Sequence, residues 1–293
     1  GSGKGPGASR NRGLKLAKGD YIVFADADDY LPDKDIFCKY INLAEQTDAD
    51  IVVSNYARLW KDKILPATKH QSFALCSPSS EEFRFQGFFS VGTLSYAWGK
   101  LYRREFLRNH QIYFADLSYA EDKLFNMQCY ICDAKYAFLE DIGYIYRKND
   151  MSVSWQYRPD SVENWFKLVY ELKSWIEKKD KDPKEYTSLI GYLLIFAAFF
   201  DGKMEYMQHK KSLWAVRNVL KKYGSNPMGR KAFTELADRR KKLQITQKLW
   251  KIMIRTFSLG MKWRWYLLMS VGIKILVSCR VDERLSDTGI RKK

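Results

Sequence analysis

Three short segments hold the residues whose types and spacing could do chemistry. Asp26-Ala27-Asp28-Asp29 places three carboxylates in four positions, directly after the apolar run Tyr21-Ile22-Val23-Phe24. Carboxylates this close repel one another unless a cation offsets them. Hard divalent ions such as Mg²⁺ or Mn²⁺ take carboxylates together with substrate phosphates. A helix-capping acidic turn has the same composition, but the strand signal before it and Tyr30-Leu31-Pro32-Asp33 after it favour a ligand site, because open α/β sheets bind ligands beyond their strand ends. The second segment runs Gly3-Lys4-Gly5-Pro6-Gly7-Ala8-Ser9-Arg10-Asn11-Arg12-Gly13. Its glycines would let backbone approach a ligand closely, and Arg10 can make a forked contact to phosphate or a base; taken by itself, the segment also reads as a charged linker. The third is Glu121-Asp122, which opens a helix. Acidic residues there gain from the helix dipole, and a carboxylate in that place also suits a general base for a hydroxyl proton.

The elements around these segments divide the chain in two. Tyr21–Phe24 and Ile51–Ser54 read as buried strands. Helices are expected over 33–46, with Pro32 setting up the start, from Ser79-Ser80-Glu81-Glu82, over Trp98–Leu107 and over Glu121–Cys132. Leu14–Lys18 reads as the end of a short helix. Tyr136–Tyr146 reads as strands with a turn near Asp141. Strands alternating with helices favour an α/β fold with a parallel or mixed sheet. Beyond Met151 the pattern becomes helical, over roughly 160–179, 185–201, 205–223, 228–242, 244–259 and 262–279, with a break at Gly224-Ser225-Asn226-Pro227. The expected division is 1–155 and 156–293.

Composition narrows the function classes. The 293 residues are 46% hydrophobic and 15% aromatic, which suits a packed core rather than a disordered chain. Five cysteines do not make a disulfide scaffold at this length. The uncharged run Tyr186–Phe200 is 15 residues, none is longer, and it better fits a core helix than a membrane span. His70, His110 and His209 lack ligand spacing. Cys129 and Cys132 lack the two further ligands a zinc site needs. The net charge of +16 lies wholly in residues 151–293, with 30 basic and 14 acidic side chains, against 20 and 20 in residues 1–150. Arg239–Arg280 holds 11 basic residues and no acidic one. Such a surface wants a polyanion, either anionic lipid or nucleic acid. No nucleic-acid motif accompanies it, and that reading leaves the carboxylate cluster unexplained.

Taken together, Gly-Pro-Gly-Ala-Ser-Arg-Asn-x-Gly, Ala-Lys-Gly-Asp-Tyr-Ile-x-Phe-x-Asp-x-Asp-Asp, the segment Trp98–Leu107, Glu121-Asp122, and Tyr144-Ile145-Tyr146-Arg147 with Ser152 and Ser154 resemble the family 2 glycosyltransferases of GT-A fold. The nearest flavour is the bacterial enzymes that build capsule, exopolysaccharide or lipopolysaccharide. The resemblance spans about residues 3–155. It implies a nucleotide-diphospho-sugar donor, usually UDP-linked, bound with Mg²⁺ or Mn²⁺, and inverting transfer to a glycan or lipid-linked acceptor. It assigns Asp28 to the metal, Asp26 to ribose or the metal, Asp29 to support of the loop, and Arg10 to the nucleotide. It makes Asp122 the base and Glu121 its orienter, with Trp98 an apolar platform for an acceptor sugar. It also implies that the family's opening half, with its nucleobase site, precedes residue 1, so the expected sheet is an N-terminally truncated GT-A one. The competing expectation is a catalytically inactive homologue acting as membrane-bound partner of another transferase. In the C-terminal segment, aromatic and aliphatic residues interleave with Lys and Arg, which suits the membrane interface. Placement on the cytoplasmic face of the cell membrane is therefore expected.

Overall fold

A computed structural model describes residues 5–60, 63–147 and 157–279. The first half runs α1 (Gly5–Leu16), β1 (Tyr21–Val23), α2 (Ile36–Thr47), β2 (Ile51–Trp60), β3 (Lys63–Pro66), α3 (Gln71–Ala74) and α4 (Glu81–Phe85). A π-helical turn (Gln86–Ser90) and a 3₁₀ turn (Thr93–Ser95) lead to β4 (Lys100–Arg103), α5 (Arg104–His110), α6 (Glu121–Ile131) and β5 (Tyr136–Arg147). Six helices follow: α7 (Ser161–Lys178), α8 (Thr187–Gln208), α9 (Leu213–Ser225), α10 (Pro227–Ala237), α11 (Lys248–Lys262) and α12 (Tyr266–Ser278).

The sheet is mixed, and β2 is its centre. β2 runs antiparallel to β4 over Ile51–Val53 and to β3 over Ala57–Trp60. It runs parallel to β5 from Ile51 opposite Tyr136 to Leu59 opposite Arg147. β1 pairs antiparallel with β4. Ile51 to Ala57 are buried without alternation, as a strand covered on both faces requires.

Two local expectations are corrected. Trp98–Leu107 is not one helix. Lys100–Arg103 is a strand, and the helix begins at Arg104. Leu101 and Tyr102 bury on opposite faces, one in the small core beside α2 and the other in the main core. Pairing with both β1 and β2 overrides the helix propensity of the local sequence. Tyr136–Arg147 is one strand rather than two. The irregularity near Asp141 is a register shift against Ser54 and Asn55, where the Asn55 side-chain amide donates to the Glu140 carbonyl at 3.0 Å. Gly143 sits at this shift. A Cβ there would lie 2.3 Å from both the Ser54 and Tyr40 side-chain oxygens, so only glycine allows the approach.

One core cluster runs from Ile22 through Phe125 and Leu193 to Ile273, so the helical region packs on the sheet layer. Among the described residues, α8 is long and apolar enough by length and composition to cross a membrane. Its Leu189, Tyr192, Leu193, Leu194, Ala197 and Ala198 are buried in that cluster, which makes it the central helix of the bundle. His70 is buried against Phe73 and Phe138, and burial pushes its pKa down to about 4, so it is a neutral core residue.

Candidate active site

The glycine-rich segment is helix from Gly5 onward; Gly3 and Lys4 lie outside the described residues. Pro6 is tolerated because the first helical turn has no partner for its missing N–H. Gly7, Arg10 and Asn11 recur at helical spacing and share one face. A Cβ on Gly7 would lie 3.1 Å from Glu121 Cγ and 3.2 Å from Phe114 Cβ. The glycine therefore lets α1 close on the acidic pair. Asn11 fastens the approach: its side-chain amide donates to the Phe114 carbonyl at 2.8 Å, and its side-chain oxygen accepts the Phe114 N–H at 2.9 Å.

Arg10 joins the two acidic motifs. Its guanidinium donates to Asp26 Oδ1 and to Glu121 Oε1, each at 2.7 Å. Its side chain is 14% exposed and that of Glu121 9%. Burial opposes the guanidinium charge, but Asp26, Asp122 and Glu121 outweigh it and hold the Arg10 pKa above its ordinary value. The ring of Phe114 lies 5.4 Å away.

The Asp26–Asp29 loop is fixed from β5. Tyr144 Oη accepts the Asp26 N–H at 3.0 Å and donates to Asp29 Oδ2 at 2.8 Å. The Arg147 N–H donates to Asp29 Oδ1 at 2.8 Å. Burial pushes the Asp29 pKa up to about 6 against these hydrogen bonds. Asp28 stands exposed, with no hydrogen bond or ion pair among the described residues. Among those residues no group of three or more His, Cys, Asp or Glu could cage a metal. The donor set fits another kind of site. A free carboxylate on Asp28, with Asp26 beside it, suits a hard cation whose remaining ligands are substrate phosphates and water.

Glu121 and Asp122 begin α6, and the residue before them is strained. Ala120 has φ 60° and ψ 22°, a left-handed conformation that costs a non-glycine residue about 1–3 kcal/mol and persists only when its surroundings impose it. Asp122 Oδ1 accepts the Lys123 N–H at 2.7 Å. Burial, and then the charge of Glu121, push the Asp122 pKa up to about 7, while Arg10 and Lys123 pull it down.

A buried lysine and a half-buried one complete the polar floor. Lys100, 1% exposed, donates to the carbonyls of Thr93 at 2.6 Å, of Tyr96, and of Trp98 at 3.4 Å. Lys123 donates to the Phe88 carbonyl of the π-helical turn at 3.1 Å. Burial pushes their pKa values down to about 7 and about 8. Sequence reasoning passed over both, because a lysine in a chain this basic carries no signal of burial. Asn11 was in view within a motif but given no task.

The structure thus brings Arg10, Asp26 and Glu121 into direct contact, with Asp122 next in the chain and Asp28 at the open tip of the loop. Trp98 differs from the expected sugar platform. It is 6% exposed, and its ring stacks on Tyr96 at 4.5 Å, Tyr144 at 4.6 Å and Tyr146 at 5.8 Å. It braces the tyrosine that holds the Asp26–Asp29 loop. Its aromatic surface is spent on neighbours, and Tyr96 and Tyr146, both half-buried, are the stack's more open rings. Ser152 and Ser154 lie outside the described residues.

Comparison with known proteins bears on the family and the fold. Residues 1–110 match the model of glycosyl transferase family 2. EpsH of Bacillus subtilis is 26% identical over 184 residues, covering 61% of this chain and 52% of EpsH. The glycosyltransferase EpsJ of the same organism is 31% identical over 173 residues, covering 58% of this chain and 49% of EpsJ. The chain therefore spans about half the length of these curated relatives. A crystal structure of Staphylococcus aureus TarS, a poly(ribitol-phosphate) beta-N-acetylglucosaminyltransferase, in complex with UDP-GlcNAc superposes with TM-score 0.59 and 20% identity, over 88% of this chain and 70% of that one. At that identity the likeness speaks for the fold, a GT-A sheet followed by a helical region. The matched motifs, the relatives and this fold thus agree in likening residues 1–110 to glycosyl transferase family 2.

Proposed function

We propose that the protein is an inverting glycosyltransferase of bacterial surface-glycan synthesis, moving a sugar from a UDP-linked donor to a hydroxyl of a growing, lipid-linked glycan. The observation that carries this reading is Arg10, which ties the donor-side loop to the acceptor-side helix through Asp26 and Glu121. The relatives' names support the reaction class. Asp122 takes the acceptor's hydroxyl proton. That oxygen's electron pair forms the bond to the anomeric carbon from the face opposite the leaving group, and the bond from carbon to the diphosphate oxygen breaks toward the nucleotide. Asp28, with Asp26, would hold Mg²⁺ or Mn²⁺, which offsets charge on the departing diphosphate. Arg10 keeps the two carboxylate motifs in register and presents positive charge to the donor. Glu121, neutralised by Arg10, orients Asp122.

The test is nucleoside diphosphate release by the full-length natural protein from a panel of nucleotide sugars, with Mg²⁺ or Mn²⁺ and a lipid-linked acceptor. Asp28→Asn is expected to lower turnover at least about 100-fold, the effect of removing charge stabilisation at a leaving group. Absence of both nucleotide-sugar binding and turnover would reject the transferase and favour the inactive-partner reading.

The acceptor's lipid suggests where the enzyme works. Leu249 and Ile252 on α11, Trp263 and Trp265 at the corner, and Leu267 and Leu268 on α12 are all exposed. Lys248, Lys251, Lys262, Arg264 and Lys274 lie among them, and no acidic residue occurs between positions 239 and 280. Exposed Trp and Leu beside unopposed cations suit an anionic lipid surface, where each Lys or Arg contributes about 1 kcal/mol. We expect the protein to float with vesicles containing phosphatidylglycerol and to stay behind with phosphatidylcholine alone. Trp263→Ser with Trp265→Ser should abolish flotation. Unchanged flotation of that double variant would reject this surface.

A further inference from the structure

We propose that the helical region is a working part of the transfer site: Asn164 and Ser161 of α7, backed by Asp201 of α8 and Tyr223 of α9, set the position of the loop that aims Glu121 and Asp122. The proposal rests on the transferase reading for its kinetic consequence and on geometry for the clamp itself.

Asn164 is buried and uses both ends of its amide on one loop. Its oxygen accepts the Ser118 N–H at 2.9 Å and the Ser118 hydroxyl at 2.8 Å. Its nitrogen donates to the Tyr119 carbonyl at 3.0 Å. These bonds hold the backbone immediately before Ala120, the residue in the left-handed conformation that starts α6. Ser161 lies three positions earlier on α7, on the same face, and its hydroxyl bonds that of Tyr119. The Tyr119 ring is held edge-on by Trp165 at 5.4 Å, with the Arg158 guanidinium 5.0 Å from its centre.

Ser161 is fixed in turn. Its hydroxyl donates to Asp201 Oδ1 at 2.6 Å, and Tyr223 Oη donates to Asp201 Oδ2 at 2.6 Å. Asp201 is a buried carboxylate in the middle of the bundle, served by hydroxyls. Burying a carboxylate is costly, and nothing in the transfer chemistry uses this one. Its place is accounted for if it locks the side chain that locks Tyr119. The path from Tyr223 to Asp201, Ser161 and Tyr119 ends two residues before Glu121. A loop misplaced by about 1 Å at a reacting centre can cost about 100-fold in rate. These four are positioning residues, since none of them touches substrate in the mechanism above.

The experiment compares Asn164→Ala, Ser161→Ala, Asp201→Leu and the near-isosteric Asp201→Asn in the full-length protein. Two readouts are taken on each: transfer kinetics, and amide hydrogen exchange over residues 117–124. The expected result is a fall in kcat of about 10- to 100-fold for Asn164→Ala and Asp201→Leu, with the donor KM and Tm close to wild type. Exchange in the loop should be at least tenfold faster. Ser161→Ala should show a smaller effect in the same direction, and Asp201→Asn should recover much of the loss. Unchanged exchange at 117–124 in Asn164→Ala overturns the clamp, whatever the activity. Faster exchange with wild-type kcat overturns its role in transfer. If one variant unfolds, the milder Ser161→Ala and Asp201→Asn carry the same two readouts. If wild type turns over no donor, the transferase reading has failed, and exchange still decides the clamp.

Discussion

Replacing Asp122 by Asn is expected to lower kcat about 1000-fold, with donor affinity and Tm little changed. General-base catalysis is worth about 10²- to 10⁴-fold, and a 1000-fold loss corresponds to about 4 kcal/mol of transition-state stabilisation. Asn preserves the shape and the hydrogen bond from the Lys123 N–H but cannot hold the proton. The fold should tolerate the change, because burial already raises the carboxyl's pKa to about 7; the charged form is the disfavoured one, so its removal costs the native state little. The sign for activity is the reverse. The base works only when ionised, so log kcat/KM of the wild type should rise with pH, with unit slope below about pH 7, and level off above it. Steady-state kinetics from pH 5 to 9 would show this limb, and Asp122→Asn should lack it. A limb that persists in Asp122→Asn would assign the titration, and with it the base, to another group.

Arg10→Met should produce the largest stability change. The substitution keeps much of the side chain's apolar length but leaves Glu121, buried beside Gly7 of α1, without its cation. Breaking a buried ion pair by removing one partner costs about 3–5 kcal/mol. At about 2–4 °C per kcal/mol for a chain of this size class, Tm should fall by about 6–20 °C in a thermal melt. Arg10→Lys should recover little, since one ammonium cannot reproduce a fork onto two carboxylates 2.7 Å away on different elements. Arg10→Met combined with Glu121→Gln should regain a good part of the stability while remaining inactive. A melt of Arg10→Met within about 1 °C of wild type would show that the two motifs are held together by something else.

The acidic motifs were legible in the sequence because their chemistry is local. Three carboxylates after a buried run, and a Glu-Asp pair opening a helix, stand out whatever the fold does. The long helices were legible from their period, and Asn226 caps α10 with Pro227 in its first turn at the expected break. What escaped reading depends on partners distant in sequence. Lys100–Arg103 is strand because β1 and β2 flank it. Trp98 is enclosed because Tyr144, 46 positions later, comes to stack on it. Lys100 is buried, and Lys123 half-buried, because carbonyls of a 3₁₀ turn and a π-helical turn face them. Neither irregular turn has a propensity signature. Asn164 reads as an ordinary polar residue in an amphipathic helix until α7 is placed beside Ser118.

The main core, which joins Ile22 to Ile273, has a consequence for how the protein comes into being. A ribosome adds residues at about 5–20 per second, so the acidic pair emerges roughly 5–20 seconds before Tyr223. During that interval Asn164, Ser161 and Asp201 are still being made or lack their last partner, and nothing complete holds the left-handed turn at Ala120. The apolar face of α8 also leaves the ribosome before α10, α11 and α12, which flank it in the finished bundle. The nascent chain therefore carries its reactive carboxylates early but acquires the geometry that makes them useful late. On the proposed transfer reaction a half-made chain lacks the geometry to handle activated sugars, and the apolar face of α8 waits uncovered for its partners.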